Sequence, residues 1–311
     1  MKNEKKATNA RPWNRAGALT LAFLAAFPLF LMFSALFFSP TAIAQEPALS
    51  PMFPQRLPYH QVLGRVVCES DFPLDDVASL TTEINALQVD LIDYLGIPAP
   101  AEQIELCLFR DKASYLTFLK AVFPQAPLDR PALYIKDKGP GILLLQRDDR
   151  LILNLRHEMT HAFLNASLRN VPIWLDEGLA KYFETPCGER GHSNPFLPTV
   201  ADRADRFLAP IPSLAGLERL QRIDQMGTAQ YRDSWAWTHF LIHYSPQTQR
   251  VLAAYLQTLR PENQHGINAE KAYQIRQSAP LTTLLKQTLP DYKKCYKAHF
   301  DRWGENAPNA P

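Results

Sequence analysis

Arg156-His157-Glu158-Met159-Thr160-His161, followed after a spacer of 15 residues by Glu177 in Trp174-Leu175-Asp176-Glu177-Gly178-Leu179-Ala180-Lys181-Tyr182-Phe183-Glu184, decides how the rest of the chain is read. Apolar spacing predicts a helix from about Leu151 to Ser167, on which His157 and His161 stand four apart on one face. Two imidazoles so placed can reach one metal ion at about 2.0–2.1 Å. Glu158 is rotated by about 100° from His157. That keeps it off the ion but beside the position left open for water, where a carboxylate can accept a proton. Glu177, in a helical segment behind Pro172, is placed to supply an acidic third ligand, and Gly178 beside it permits close backbone approach. An amphipathic helix with surface histidines explains the first segment taken by itself. The second segment favours the metal.

Upstream of this stretch the pattern is β-α-β-α. A strand-like run from Gln61 passes through Val66-Val67-Cys68. A helix with Val77, Leu80, Ile84, Leu87, Leu91 and Leu95 at spacings of three and four follows. Ile104–Phe109 reads as a strand and 113–122 as a helix. Ala132–Ile135 and Gly141–Gln146 read as two more strands, separated by the Gly139-Pro140-Gly141 turn. Asp148 or Asp149 is placed to cap the histidine helix. Gly141–Gln146, just before that helix, is the expected edge strand on which an extended peptide could pair. Downstream, helices are expected over 233–244, 248–259, 269–277 and 281–303, then a loose tail over 304–311.

The two segments resemble the gluzincin zinc peptidases, which combine His-Glu-x-x-His with a downstream Glu. The likeness is strongest to the aminopeptidase N-like and peptidase MA-like branches, whose second segment reads Trp-Leu-x-Glu-Gly-x-Ala-x-Tyr; every fixed position is present from Trp174 to Tyr182. Tyr231-Arg232-Asp233-Ser234-Trp235-Ala236-Trp237 is similar to a further segment of exported bacterial peptidase MA-like proteins. The resemblance implies zinc held by His157, His161 and Glu177, with Glu158 as general base. It also implies hydrolysis of a peptide or protein substrate by metal-activated water. The spacer is shorter than in aminopeptidases and no Gly-x-Met-x-Asn strand occurs, so aminopeptidase specificity does not carry over. Glu184, seven residues after Glu177, either orients a ligand histidine or is an exposed helix residue. Tyr231 is the first candidate to donate to the oxyanion, against a packing role, with His239 a weaker option. His239 and His243, four apart without a Glu between them, read as structural rather than as a second metal site. Asn165 reads as a solvated polar residue.

The fold class expected is α+β and zincin-like: a small mixed sheet with helices over 59–168, ending in the active-site helix, then a helical part over 169–303, with the metal between them. The alternative function is a non-catalytic zinc-binding protein that uses a peptidase-like fold as a binding or scaffold module.

Residues 17–39 carry no charge and follow Lys2, Lys5, Lys6, Arg11 and Arg15, while 41–45 offer an Ala-x-Ala cleavage site. Residues 1–44 therefore read as a secretory signal, with an uncleaved membrane anchor as the alternative. Export to the periplasm or medium is expected, with 45–58 as a proline-rich linker. Residues 1–44 hold five of the 33 Lys and Arg and one of the 31 Asp and Glu, so their loss moves the formal charge from +2 to −2. Nothing in that balance calls for nucleic acid as a partner. The four cysteines suit an oxidising compartment, and Cys68–Cys107 and Cys187–Cys295 are the pairings expected.

Overall fold

The computed structural model describes residues 57–77, 79–100, 102–136, 139–190, 192–205, 210–260, 271, 274 and 280–305. The expected signal, nearly all of the linker, all but two residues of the expected 269–277 helix and the tail beyond 305 lie outside them.

Five strands form one mixed sheet: β1 (Tyr59–Leu63), β2 (Val66–Ser70), β3 (Ile104–Phe109), β4 (Ala132–Ile135) and β5 (Gly141–Gln146), in the order β1-β2-β3-β5-β4. The run expected as one strand from Gln61 is split by a turn at Gly64, whose φ of +62° suits a residue without a Cβ. β1 and β2 are thus an antiparallel hairpin. β2, β3 and β5 are parallel, whereas β4 runs antiparallel to β5 on the outer edge. This corrects the expected edge: Gly141–Gln146 is interior, hydrogen-bonded to β3 and β4, and among the described residues the edge strands are β4 and, on the opposite side, β1. Periodicity identifies strands but does not order them.

The parallel strands are apolar on both faces because both are covered. Leu106, Leu108, Leu143 and Leu145 face the layer containing α1 (Ser79–Leu95) and α3 (Leu151–Ser167), and Cys107, Phe109, Ile142 and Leu144 face the side packed by α2 (Lys112–Val122). Asp111 caps α2 by accepting from the Ser114 amide at 2.8 Å. The cap expected of α3 takes a different form. Its N-cap is Arg150, and Asp148 holds the preceding turn through its side chain to the Arg150 amide.

α3 is tied down by a buried charge network next to its first histidine. The Arg156 guanidinium donates to the Phe183 carbonyl at 2.9 Å, to Glu83 at 2.9 Å and to Asp90 at 3.1 Å, and Asp90 also receives Arg190. Removing Asp90 leaves two buried guanidinium groups short of countercharge. Asp90→Ala is therefore expected to cost about 3–5 kcal/mol of stability, read as a lower urea midpoint; a loss below about 1 kcal/mol would contradict the account of how α3 is held.

The remainder is helical: α4 (Ile173–Phe183), α5 (Leu197–Asp205), α6 (Leu214–Leu217), α7 (Thr228–His243), α8 (Pro246–Thr258), α9 (Leu281–Thr288) and α10 (Tyr292–Glu305). The helix expected over 281–303 is two helices, because Pro290 can neither donate its amide nor fit the preceding turn. α5 and α6 were not anticipated. α4 packs on α7 at Gly178, where a Cβ would lie 2.5 Å from Thr238 Oγ1 and 2.7 Å from the Ser234 carbonyl oxygen. The fold is α+β, and no described helix is long and apolar enough to cross a membrane.

Candidate metal centre

α3 and α4 bring three donor atoms to one point. His157 Nε2 and His161 Nε2 stand 3.3 Å apart, and Glu177 Oε2 lies 3.7 Å from the first and 3.8 Å from the second. Ligands about 2.0–2.1 Å from a tetrahedral zinc ion are separated by roughly 3.3 Å. The histidine pair has that spacing already, and a small carboxylate rotation closes the other two sides. Among the described residues, these are the His, Cys, Asp and Glu side chains that converge so closely.

The other ring nitrogens face carboxylates. His157 Nδ1 is 3.0 Å from Glu184 Oε2, and His161 Nδ1 is 3.1 Å from Asp176 Oδ1. A carboxylate can only accept, so Glu184 makes His157 Nδ1 the donor and leaves its Nε2 lone pair for a metal, while Asp176 faces His161 Nδ1 at ion-pair distance without an aligned hydrogen bond. Burial raises the pKa of Glu184, but His157 and Lys181 outweigh it and hold the group below its ordinary value. For His161, burial opposes a charge, yet Asp176, Glu177 and Glu158 push its pKa up to about 10. Three carboxylates thus act on one buried ring, so the pocket around the donors is negative. The donor set of two nitrogens and one carboxylate suits zinc.

Glu158, the residue directly after His157, is half-buried, and among the described residues no donor hydrogen-bonds its carboxylate. It acts electrostatically on both His161 and Tyr231. Tyr231, near the start of α7, lines a cleft of about 340 Å³ with His157, Glu177, Lys181, Phe196, Thr228 and Arg130. Burial and then Glu177 raise the Tyr231 pKa, partly offset by the adjacent Arg130 guanidinium, so its hydroxyl keeps its proton and can donate.

No protein-family model and no curated protein matches the sequence. Among solved structures, the chain is similar to an M1 zinc metallopeptidase from Deinococcus radiodurans and to a mutant of that enzyme. Both comparisons give 17% identity and a TM-score of 0.40, covering 82% of this chain and 52% of the enzyme and 53% of its mutant. The chain spans about half the length of these structures.

Several expected residues lie elsewhere. His239 is fully buried, 2.9 Å from His299 Nε2 through its Nδ1 and walled by Trp235, Phe300 and Trp303, so it cannot reach an oxyanion in the cleft. His243 hydrogen-bonds Tyr182 at 2.7 Å, and burial lowers its pKa to about 4, consistent with a neutral core residue. Asn165 is half-buried and donates to the His161 carbonyl at 2.9 Å, one turn back on the same helix. Neither expected cysteine pair forms; all four are free. Cys68 is paired in register with Leu106 and Cys107 with Glu69, so the two thiols project from opposite faces of the sheet. Cys187 sits against Tyr94, and Cys295 against Tyr244. Burial pushes Cys68 up to about 12, which removes it as a nucleophile.

Asp176 and Arg130 escaped the sequence reading. Asp176 stands next to Glu177 and three helix positions after Ile173, so its signal was only adjacency to a ligand. Asp176→Ala is expected to weaken zinc binding by about 10–100-fold while the metal-free chain melts nearly as before; unchanged affinity would assign Asp176 a surface role.

Proposed function

We propose that this chain is a zinc-dependent metallopeptidase. The observation that carries the reading is the convergence of His157 Nε2, His161 Nε2 and Glu177 Oε2 beside a Glu158 carboxylate that no donor among the described residues occupies. In this reading the first three residues hold the ion. When bound, zinc polarises the scissile carbonyl and makes water more acidic.

The chain's own groups do the rest. Glu158 takes the proton of the attacking water and can return it to the leaving amine. Glu184 and Asp176 keep the two imidazoles turned with Nε2 inward. Tyr231 donates its hydroxyl to the oxygen that gains charge. The free edge of β4 offers backbone groups to an extended peptide close to the ligands, since the Tyr134 ring lies nearly parallel to that of His161 at 6.3 Å. The uncharged run over 17–39 behind five basic residues supports export as the setting.

Cleavage of unstructured peptides by zinc-loaded protein, abolished by a chelator and restored by zinc, tests the function. Zinc binding without cleavage would instead favour a binding module. Within that assay Tyr231→Phe is expected to keep zinc and fold but lower the rate by roughly 10²–10³. An unchanged rate would remove Tyr231 from the mechanism.

A further inference from the structure

The cleft contains a cation that the hydrolytic chemistry does not use. Arg130 is exposed, stands on the loop entering β4, and lines the cleft with His157, Glu177 and Tyr231. Among the described residues no carboxylate pairs with it; its neighbour is the Tyr231 hydroxyl. Lys181, the other cation of the cleft, is engaged by Glu184 at 2.9 Å. Arg130 is therefore the cleft's uncommitted positive charge, and a guanidinium offers several planar donors that match both oxygens of a carboxylate.

Its position relative to a bound chain follows from the edge strand. The Gln146 amide bonds the Pro131 carbonyl at 3.1 Å, so the β4–β5 ladder reaches the residue next to Arg130. Tyr134, four residues on, is the strand residue stacked near His161. Four extended residues span about 13 Å. A peptide along β4 thus meets Arg130 within about four residues of the metal ligands. Glu158 and Glu177 make the same cleft negative, so an acidic substrate needs an opposing charge there.

We propose that Arg130 is a specificity residue that receives a substrate carboxylate, so that the cleft selects peptides carrying an acidic side chain near the scissile bond or a free C-terminus close to it. The proposal rests on the peptidase reading for its substrate and goes beyond it in naming the class.

The test uses zinc-loaded full chain and two pairs of peptides. One pair differs by Glu or Gln near the cleavage point, the other by a C-terminal acid or amide. Wild type should favour the acid member of one pair by about tenfold in kcat/KM, less at high salt. The pair that responds identifies the source of the carboxylate. Arg130→Gln should abolish the preference, and Arg130→Lys should retain part of it. Equal use of both members of each pair by wild type, or a preference kept by Arg130→Gln, would overturn the proposal. Binding of the same peptides to Glu158→Gln separates this failure from that of the function. A carboxylate preference in binding that Arg130→Gln removes, with no cleavage by wild type, would sustain the Arg130 site and reject the peptidase.

Discussion

Glu158→Gln is expected to lose peptide cleavage by about 10²–10⁴-fold while binding zinc as wild type does. The substitution keeps size and hydrogen-bonding capacity but removes the carboxylate that accepts the water's proton. Glu158 is free to act because it does not hold the histidine rings; those are turned by Glu184 and Asp176, at 3.0 Å and 3.1 Å. The metal triangle should therefore survive the change. Retained zinc with lost activity, measured on one preparation, is the expected pair of results. Cleavage at the wild-type rate would exclude Glu158 as the base and with it this mechanism.

The second large effect is loss of a ligand. His157→Ala, His161→Ala or Glu177→Ala opens one corner of a triangle whose sides are 3.3, 3.7 and 3.8 Å, and two remaining donors do not make a stable zinc site. Zinc and activity should disappear together. Stability should follow: a ligand at about 1,000 times its Kd adds roughly 4 kcal/mol, or about 8–16 °C in Tm for a chain of this size. Zinc should raise the Tm of wild type and of Glu158→Gln by that order and leave Glu177→Ala unmoved, near the Tm of chelated wild type. If Glu177→Ala is stabilised by zinc as strongly as wild type, the acidic ligand lies elsewhere, with Glu184 the first position to examine.

The contrast between these variants reflects what was legible in the sequence. Helix α3 could be read in full because its apolar spacing, from Leu151 through Leu155, Met159 and Ala162, persists over four turns and both ends coincide with breaks in the pattern. The positions of His157 and His161 on that helix then follow from its pitch alone. β3, β4 and β5 were equally plain, as short apolar runs between turn residues. What the sequence hid was everything set by distant pairing. The antiparallel return of β4 along β5 made β4 the edge, and the one-residue offset between Cys68 and Cys107 sent them to opposite faces. Arg130 was hidden for the same reason, since a loop arginine acquires meaning only when α7 places Tyr231 beside it. The break at Pro290, by contrast, was written in the chain, but the apolar spacing from Leu281 on carried the reading past it.

Zinc content is the measurement that bears most directly on the central claim. Full chain dialysed against metal-free buffer, then given zinc and washed, should retain about one ion per molecule, and so should Glu158→Gln. His161→Ala should retain almost none. Wild type that holds no zinc, or His161→Ala that holds as much as wild type, would contradict the assignment of His157, His161 and Glu177 as the metal centre.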